Sequence, residues 1–511
     1  MMKTIQKAVT FLCLAIIAEF AGAQNPIITC GYSADPAPFV YGDSVYVYYD
    51  VDLGVVPSTG DSYYYMDEWR VASSADMVNW TDHGTALPLS AFSWSKAGTA
   101  WASQCVERNG KFYWYVCCEY PGHWHSIGVA MANSPTGPFR DMLRKPLIVT
   151  NEMGDIDPTV FIDDNGQAYL YWGNNKLRYV KLNSNMITYD KTIGNNGIVT
   201  VELTKEAFGG VKVDGKVQGE NCFEEGPWLT KHNQLYYLLY AAGGVPENIG
   251  YSTSNAPTGP WKYRGKVMDV ENTNSFTNHS GNVNFKGQDY FFYHTGWLNG
   301  GSGFKRSIAV EYLTFNDDGT IQQIKPTRKG VAPVATLNPL ELQEAETFNN
   351  CRGITVNGNA AKGVNVEFHA NNDSVAVRNA DFGEEPVKSV TLSLASTRGG
   401  RIYIRLDKNV STSIATIDVP NTGSLTQFEE VTVNLSREVT GKHRIIFIYS
   451  GSGNAVWDKW QFHTETSEAL GIESVSAADR ASSSYFSIDG IAHQHPVKGL
   501  NIHRGKKFIM H

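Results

Sequence analysis

Cysteine is scarce in this sequence, and no two cysteines have the spacing of a zinc site. Only seven occur in 511 residues, and Cys13 lies in an apolar run near the start of the chain. A disulfide framework or a zinc-binding module needs a denser pattern. The six that follow therefore indicate mostly buried thiols, with or without a single bridge.

Long apolar runs and clusters of basic residues are also missing. The apolar run 8–17 is too short to cross a membrane. Lys3 and Lys7 precede it and the small residues 21–23 follow it, so we predict a signal peptide over 1–23, cleaved near Ala23. The mature protein would then be secreted, periplasmic or held at the cell surface. With a net charge of −8 and no Lys/Arg run, we expect no nucleic-acid partner and no membrane span.

Glycine and aromatic residues, in contrast, are abundant, with 48 glycines and 12% aromatics. One pattern recurs: a polar or acidic residue, an apolar run, a turn and a returning strand with alternating aromatic residues. The copies begin near Asp35, Gln104, Gly154, Glu225 and His279. Units of this size, made of strands and turns, are typical of propeller blades. We therefore predict an all-β fold that begins with a five-bladed β-propeller over 25–334.

The repeat stops at a short proline-containing linker, 335–340. Alternating segments over 341–463 predict a second all-β unit, a β-sandwich of the jelly-roll type. The tail 464–511 ends in a basic segment, 497–511, that has the pattern of a hairpin. It resembles the C-terminal tails that Gram-negative bacteria use for export through an outer-membrane sorting system; a disordered or loosely docked tail is the alternative.

Three carboxylates stand at the starts of predicted innermost strands: Asp35, Asp157 and Glu225. Such strands line the central funnel of a propeller, so these side chains would converge on one site. Hydrolysis of a glycosidic bond needs one carboxylic acid to protonate the leaving oxygen and a second group acting from the opposite face. Taken singly, an Asp-Pro or Glu-Gly-Pro sequence is more often an ordinary turn; their common position in the repeat favours the catalytic interpretation.

The motifs around these acids resemble glycoside hydrolase family 43, whose members are five-bladed inverting enzymes. The resemblance rests on Ala34-Asp35-Pro36, Asp157-Pro158 with 161–166, and Glu225-Gly226-Pro227. Further segments resemble the arabinoxylan arabinofuranohydrolase branch of that family: 76–80, 100–102, 108–115 and 303–307.

The resemblance implies a role for each acid. Asp35 would be the general base, Glu225 the general acid and Asp157 the group that raises the pKa of the acid and orients it. Glu224 competes with Glu225, but neighbouring side chains point to opposite faces of a strand and only Glu225 matches the motif. An inverting mechanism predicts that Asp35 and Glu225 lie about 6.5–9.5 Å apart.

Three other residues are candidates for contact with substrate. By the resemblance, Arg306 contacts the sugar, and His279 lies beside substrate and a calcium ion, or its waters, in the central channel. A buried structural histidine is the alternative for His279. Trp101 is either a platform on which a sugar stacks or a core tryptophan.

The second unit resembles a family 6 carbohydrate-binding module. By that resemblance Glu344, Glu346 and Asp458 would bind a structural calcium, which prefers oxygen ligands. Phe368 would keep one aromatic ring of the usual sugar-binding cleft. The second ring and the asparagine of that cleft are replaced by Leu425 and Val456, so the resemblance does not extend to its usual sugar contacts.

These observations predict a secreted exo-acting glycosidase that removes α-L-arabinofuranosyl side chains from arabinoxylan or its oligosaccharides. A β-1,4-xylosidase of the same family, an endo-acting enzyme and a non-catalytic carbohydrate-binding propeller remain as alternatives. Its partner would be hemicellulose, and the chemistry would need no cofactor beyond a structural calcium.

Overall fold

The computed structural model describes residues 25–407, 412–467, 485–487, 492–493, 499–503 and 506–510. The predicted signal peptide lies outside them. The described residues form a propeller, a β-sandwich and a small sheet in the tail, so the predicted all-β class is confirmed.

Five antiparallel sheets form the blades of the propeller. Blade 1 contains β1 (Ala34–Tyr41), β2 (Ser44–Asp50), β3 (Glu68–Ser74) and β4 (Trp80–Pro88). Blade 2 contains β5 (Trp101–Arg108), β6 (Lys111–Glu119), β7 (His125–Ala132) and β8 (Arg140–Asp141). Blade 3 contains β9 (Thr159–Ile162), β10 (Ala168–Trp172), β11 (Leu177–Leu182) and β12 (Val199–Val201).

A short insertion separates blade 3 from blade 4. It contains α1 (Lys205–Phe208) and the hairpin of β13 (Gly210–Val213) and β14 (Lys216–Gly219). Blade 4 contains β15 (Phe223–His232), β16 (Leu235–Ala242), β17 (Asn248–Ser254) and β18 (Lys262–Met268). Blade 5 contains β19 (Gly281–Phe285), β20 (Gln288–Thr295) and β21 (Ser307–Tyr312). A 3₁₀ turn, Leu89–Ala91, follows blade 1.

The five repeated segments are the first two strands of the five blades. The Asn109-Gly110 turn of the second copy has positive φ at both residues, 55° and 72°. Asn-Gly tolerates this left-handed geometry and so closes the hairpin tightly. The first strand of blade 1, β1, contacts both β5 and β19, and β9 contacts both β5 and β15. The first strands of the blades therefore surround the funnel, as predicted.

The segment before β1 closes the ring against blade 5. The amide of Ile27 donates to the carbonyl of Ile308 at 2.8 Å, and the amide of Ser33 donates to the carbonyl of Arg306 at 2.9 Å. Asn25, which is buried, exchanges side-chain hydrogen bonds with both backbone groups of Val310. The N-terminal segment thus lies beside β21 and covers the outer edge of the three-stranded sheet.

The sandwich consists of two sheets around one apolar core. One sheet has the order β25 (Ile354–Asn359), β26 (Gly363–Phe368), β33 (Ala455–His463), β28 (Val387–Ser396) and β31 (Ser424–Val439), with β22 (Gln343–Glu344) also paired to β33. The other has the order β24 (Asn350–Arg352), β27 (Ser374–Asp381), β32 (Lys442–Ser450), β29 (Gly400–Leu406) and β30 (Ala415–Val419). The tail forms a separate small sheet with the order β35 (Ala492–His493), β34 (Tyr485–Ser487), β36 (Gly499–His503) and β37 (Lys506–Met510). Strands β36 and β37 pair as the predicted hairpin.

The expectation for Phe368 is wrong. Its side chain is 0% exposed and stacks between Tyr449 and Trp457, with ring centroids 4.9 and 6.2 Å away. Burial of a large ring contributes to core stability. Phe368 is therefore part of the sandwich core and offers no surface to a sugar. Val456 is buried as well, at 4% exposure.

The sandwich is joined to blade 1 by a shared sheet. Strand β23 (Thr347–Phe348) pairs with the outer strand β4 of blade 1. A disulfide joins Cys30 of the propeller to Cys351, with Cα atoms 5.8 Å apart, and the four other described cysteines are free and buried. The joint covers the outer edge of blade 1 and leaves the funnel side of that blade uninvolved.

Asn79 also connects the two units, through hydrogen bonds to the backbone of Arg378. Its amide donates 2.7 Å to the carbonyl of Arg378 and accepts 2.9 Å from the amide of Arg378. It also donates to Asp76, which itself accepts the amides of Val78 and Asn79.

Within the described residues, no helix is long and apolar enough to cross a membrane.

We expect Asn79→Ala to lower the free energy of unfolding by about 1–3 kcal/mol, because two backbone groups at the joint lose their partner. The measurement is denaturant unfolding followed by tryptophan fluorescence. Asn255→Ala, at an exposed loop position, is the control and should be nearly neutral. Equal stability of the two variants would show that the joint contributes little.

Candidate active site

Two of the predicted acids occupy the same strained place in their blades. Asp35 and Asp157 each precede a proline and have positive φ, 50° and 58°. In β1 the pairing with β2 shifts register at this point, between Ala34 and Ala37. A backbone conformation with positive φ costs free energy for any residue other than glycine. Residues strained in this way are concentrated at functional sites. Both acids are buried, each 7% exposed.

Blade 4 differs from this pattern by one residue. Here the residue before the proline, with a left-handed backbone conformation (φ 57°), is Gly226. Glu225 precedes Gly226 in the sequence. The expectation that all three acids occupy equivalent positions is therefore wrong for Glu225. The one-residue offset changes where its side chain points, because successive side chains leave a strand in different directions.

Gly226 links the acids of blades 3 and 4. Its amide donates a 2.9 Å hydrogen bond to Asp157 Oδ2. A Cβ atom at this position would lie 3.1 Å from His279 Nδ1. Glycine therefore serves both the left-handed backbone and the close approach of the imidazole.

Asp35 lies among cationic and imidazole groups. Its Oδ1 is 2.9 Å from Arg306 Nη1, 3.2 Å from His294 Nδ1 and 3.9 Å from His279 Nδ1. Burial alone would raise the pKa of Asp35, but Arg306, followed by the hydrogen bond and charge of His294, outweighs it and holds this pKa well below its ordinary value. Asp35 is thus a carboxylate at neutral pH.

Arg306 is fixed by acids from blade 1. Its Nε and Nη2 bond to the two oxygens of Asp52 at 2.9 and 3.0 Å, and its own amide donates to Asp52 at 2.8 Å. Its guanidinium carbon lies 5.0 Å from the ring centroid of Tyr64. The arginine is only 3% exposed. Its predicted contact with a sugar stays a prediction.

Glu225 and Asp157 form a pair with the opposite tendency. Burial raises the pKa of Asp157 well above its ordinary value, and the charge of Glu225 raises it further. Burial also raises the pKa of Glu225, a hydrogen bond from Asn174 opposes that rise, and the charge of Asp35 adds to it. Two buried carboxyl groups in one site do not ionise together easily. The pair therefore tends to hold a proton while Asp35 has none.

Glu224 has a different partner from Glu225. One of its oxygens forms an ion pair with Lys212, on the hairpin that follows blade 3. Its backbone carbonyl accepts the amide of Asn175 at 2.7 Å. The structure thus separates the two neighbouring glutamates, with Glu225 beside Asn174 and Glu224 beside Lys212.

Several residues of the site were not predicted from the sequence. Most of them end the second strand of a blade or follow it: Asp50, Asp52, Asn174, Glu247 and His294. In blade 1 the hairpin register sets Asp50 opposite Ala34, next to Asp35. Burial, followed by the charge of Asp35, raises the pKa of Asp50 well above its ordinary value. The signal was present in the sequence as two acids, Asp50 and Asp52, at the end of an alternating strand.

Glu247 reaches the site from the β16–β17 turn. It accepts the amide of Asn278 at 2.7 Å, and so it fixes the segment that carries His279. Burial lowers the pKa of His279 to about 4, so its imidazole is neutral at pH 7. A neutral imidazole can bind water or a metal ion. The predicted calcium beside His279 stays a prediction.

Trp101 lies at the start of β5, half-buried against the propeller core. Its Nε1 donates to the carbonyl of Tyr64 at 2.9 Å, and its ring meets that of His125 edge-on at 4.8 Å. The ring thus packs inward and still keeps some exposed surface. Its role as a sugar platform stays a prediction.

The three predicted calcium ligands lie close together in the sandwich. Glu346 is 4% exposed, and its Oε2 has no hydrogen-bond partner among the described residues. Burial raises the pKa of Glu346 to about 9, and the charges of Glu344 and Asp458 contribute to the rise. An unpartnered buried oxygen beside two further carboxyl groups suits a hard cation. As they are arranged, no three His, Cys, Asp or Glu side chains of the described chain form a metal site.

The funnel site combines an ionised carboxylate, Asp35, with a proton-holding pair, Asp157 and Glu225. Carboxyl groups whose environments separate their pKa values are suited to act as base and acid in one reaction. That is the requirement of glycosidic hydrolysis with an attacking water.

Comparison with known families agrees with this chemistry. Residues 23–321 match the family model of glycosyl hydrolases family 43, and residues 344–464 match that of the family 6 carbohydrate-binding module. An arabinoxylan arabinofuranohydrolase of Bacillus subtilis (strain 168) is 33% identical over 494 residues, which cover 87% of this chain and 93% of the relative. An enzyme of the same name from Paenibacillus polymyxa is 30% identical over 504 residues, covering 88% of this chain and 76% of the relative.

Solved structures show the same architecture. A family 43 arabinoxylan arabinofuranohydrolase from Bacillus subtilis, in complex with cellotetraose, superposes with a TM-score of 0.74 at 30% identity, covering 87% of this chain and 98% of that one. A β-xylosidase/α-arabinofuranosidase from a compost metagenome, in complex with xylotriose and described as a calcium-free form, has a TM-score of 0.50 at 29% identity, covering 59% and 98%. On this evidence the chain belongs to glycosyl hydrolase family 43, as a glycoside hydrolase whose propeller is followed by a family 6 carbohydrate-binding module.

Proposed function

We propose that this enzyme is an inverting exo-acting α-L-arabinofuranosidase that removes arabinofuranosyl side chains from arabinoxylan or its oligosaccharides. The observation that carries the catalytic part is the contrast between Asp35, beside Arg306 at 2.9 Å, and the buried pair of Asp157 and Glu225. One group is prepared to accept a proton, and the pair is prepared to give one.

Arabinose is favoured over xylose by the extent of similarity. The two arabinoxylan arabinofuranohydrolases match 87% and 88% of this chain, which includes both the propeller and the module. The β-xylosidase/α-arabinofuranosidase structure covers 59% of the chain. Because the module is joined to blade 1 by a shared sheet and a disulfide, likeness over both units is evidence about the whole enzyme.

In this proposal Asp35 removes a proton from the attacking water. Arg306 keeps Asp35 ionised, and His294 aligns it through Nδ1. Glu225 protonates the leaving glycosidic oxygen from the other side of the sugar, so that the xylose hydroxyl departs neutral and the anomeric configuration is inverted. Asp157 belongs to the buried pair that holds the proton, and it orients the Glu225 loop by accepting the amide of Gly226.

A β-1,4-xylosidase is the second candidate. It is supported by the similarity of the propeller to a solved enzyme that is named for both activities. The acid and base would act in the same way on either pentose. Specificity would then depend on the loops at the funnel rim.

For its place of action, we propose export from the cytoplasm. Lys3, Lys7 and the apolar run 8–17 support a cleaved signal peptide, and the hairpin of β36 and β37 in the tail supports recognition by an outer-membrane sorting system. Arabinoxylan is too large to enter a cell intact, so an exported enzyme fits this substrate.

Product analysis tests the proposed specificity. The purified enzyme is incubated with arabinoxylan and, in parallel, with unsubstituted xylo-oligosaccharides, and the released sugars are separated by chromatography. We expect free arabinose and an intact xylan backbone. Xylose released from oligosaccharide ends, without arabinose from the polymer, would instead establish the xylosidase.

The role of Glu225 predicts a selective loss of rate. We expect Glu225→Gln to lower kcat by about 10²–10⁴-fold on substrates with a sugar leaving group, because the general acid is lost. Aryl glycosides with good leaving groups need less protonation and should lose much less. Glu224→Gln is the matched control, and its rates should stay close to those of the wild type. A comparable loss in both variants would refute the assignment.

Asp35 and Arg306 predict the pH profile of kcat/KM. The acidic limb reports protonation of Asp35, whose pKa is held low, and the basic limb reports loss of the proton from Glu225. Arg306→Gln removes the charge that lowers the pKa of Asp35, so the acidic limb should move to higher pH by about 1–3 units. Arg140→Gln, at an exposed position, should leave it in place. An unmoved limb in Arg306→Gln would exclude Asp35 as the titrating base.

We expect that substituting Gly226 reduces activity more than it reduces stability. Alanine at φ 57° would be strained and would press on His279, so we expect Gly226→Ala to lower kcat/KM by about tenfold or more through displacement of Glu225 and Asp157. Gly287 has φ 80° and open space around its Cβ direction. Gly287→Ala therefore carries the same kind of strain without the contact, and it should reduce stability alone. Equal kcat/KM in the two variants would contradict the prediction.

We also propose that Glu344, Glu346 and Asp458 bind a structural calcium ion. Calcium would neutralise the buried Glu346 oxygen, so saturating Ca²⁺ should raise the free energy of unfolding relative to EDTA, by about 2.7 kcal/mol at 100 times its Kd. Glu346→Gln should abolish the difference, and Glu384→Gln, an exposed acid of the module, should preserve it. Identical unfolding of the wild type in Ca²⁺ and EDTA would count against the site.

A further inference from the structure

The outward face of the five-stranded sheet in the module is rich in arginine. On β29, Ile402 and Ile404 are buried in the sandwich core. Because side chains alternate along a strand, Arg401, Tyr403 and Arg405 point outward. The same alternation holds on the neighbouring strands β24, β27 and β32. Five arginines share this surface, which we name the arginine face: Arg352, Arg378, Arg401, Arg405 and Arg444.

The centre of the arginine face is apolar and aromatic. Ile446 stands between Ala376 and Arg405 in the register of the sheet, and Ile448 stands opposite Tyr403. Ile446, Ile448 and Tyr403 are half-buried, so each keeps some exposed surface. The arginines surround this centre and lie on four neighbouring strands. Adjacent strands of a sheet are about 4.8 Å apart.

The positive charge of this face is only partly neutralised. Asp418 pairs with Arg401 at 2.9 Å, and Asp407 is bonded to His443 and to the amide of Arg444. Arg352, Arg378 and Arg405 form no ion pair with any described carboxylate. The Nε of Arg405 is buried and has no hydrogen-bond partner in the described chain. In a protein of net charge −8, such a concentration of cations suits an anionic ligand.

We propose that the arginine face binds a polysaccharide that carries uronate carboxylates. A planar guanidinium recognises a carboxylate through two parallel hydrogen bonds. Tyr403 and the two isoleucines offer an apolar surface for the C–H faces of the sugar rings. The arginines extend across four strands, so the face accommodates several sugars of a chain. A glycoside hydrolase with this face would be held on acidic regions of hemicellulose, by a surface separate from the Phe368 region.

Affinity electrophoresis of the full-length protein tests this binding without a need for turnover. The probes are a xylan substituted with uronic acid and the same xylan after reduction of its carboxyl groups to alcohols. We expect retardation by the first probe, about tenfold weaker affinity for the second, and weakening as salt rises from about 20 to 200 mM. Equal affinity for the two probes, or no retardation by either, would overturn the proposal.

A double variant locates the site. Arg378→Gln with Arg405→Gln should lose about tenfold or more in affinity for the uronate xylan. Arg437→Gln with Arg140→Gln removes two exposed arginines outside this face and should bind like the wild type. Equal losses in both double variants would overturn the assignment to this face, and equally tight binding of polyphosphate would overturn the assignment to a sugar acid. Release of arabinose, assayed in parallel, should be unchanged on a soluble oligosaccharide, which separates this proposal from that of the catalytic function.

Discussion

The ion pairs of Arg306 are the interaction on which the propeller and its site most depend. Arg306 precedes the last strand of blade 5, and its partners Asp35 and Asp52 belong to blade 1. The same contacts therefore join the first blade to the last and set the charge state of Asp35. Removing one partner from such a buried network leaves an uncompensated charge, which is far costlier than losing a surface ion pair.

Burial acts on every acid of the funnel, so burial alone cannot separate their functions. What differs is the neighbour of each group. Asp35 lies against a guanidinium and two imidazoles, whereas the charge of Glu225 raises the pKa of Asp157 and the charge of Asp35 raises that of Glu225. One site thereby contains a carboxylate and a proton-holding pair at the same pH, without any group having to move.

The carbohydrate-binding module and the propeller are held together by several contacts. Strand β23 extends the sheet of blade 1, a disulfide crosses the joint, and Asn79 binds the backbone of Arg378. Such a joint fixes the orientation of the module relative to the funnel. The core position of Phe368 removes one ring of the usual cleft, while the outward face of the neighbouring sheet carries the arginines.

The sequence by itself determined the hairpins and the number of blades, and it predicted three candidate acids, whose roles stay a prediction. These are local properties: alternation, Asn-Gly turns and short motifs repeat along the chain and can be read without knowledge of distant contacts. The choice of Glu225 over Glu224 also came from local features, strand alternation and the motif Glu225-Gly226-Pro227, and it stays a prediction. The offset of Glu225 by one residue was missed, because a bulge is a property of strand pairing.

Only the tertiary structure decided which side chains surround those acids. His294 and Arg306 come from blade 5, and their approach to Asp35 of blade 1 depends on how the ring closes. The pairing of Cys30 with Cys351, 321 positions apart, and the burial of Phe368 also follow from packing between distant segments. Charge states and burial depend on all neighbours in space, and a single sequence does not state which residues those are.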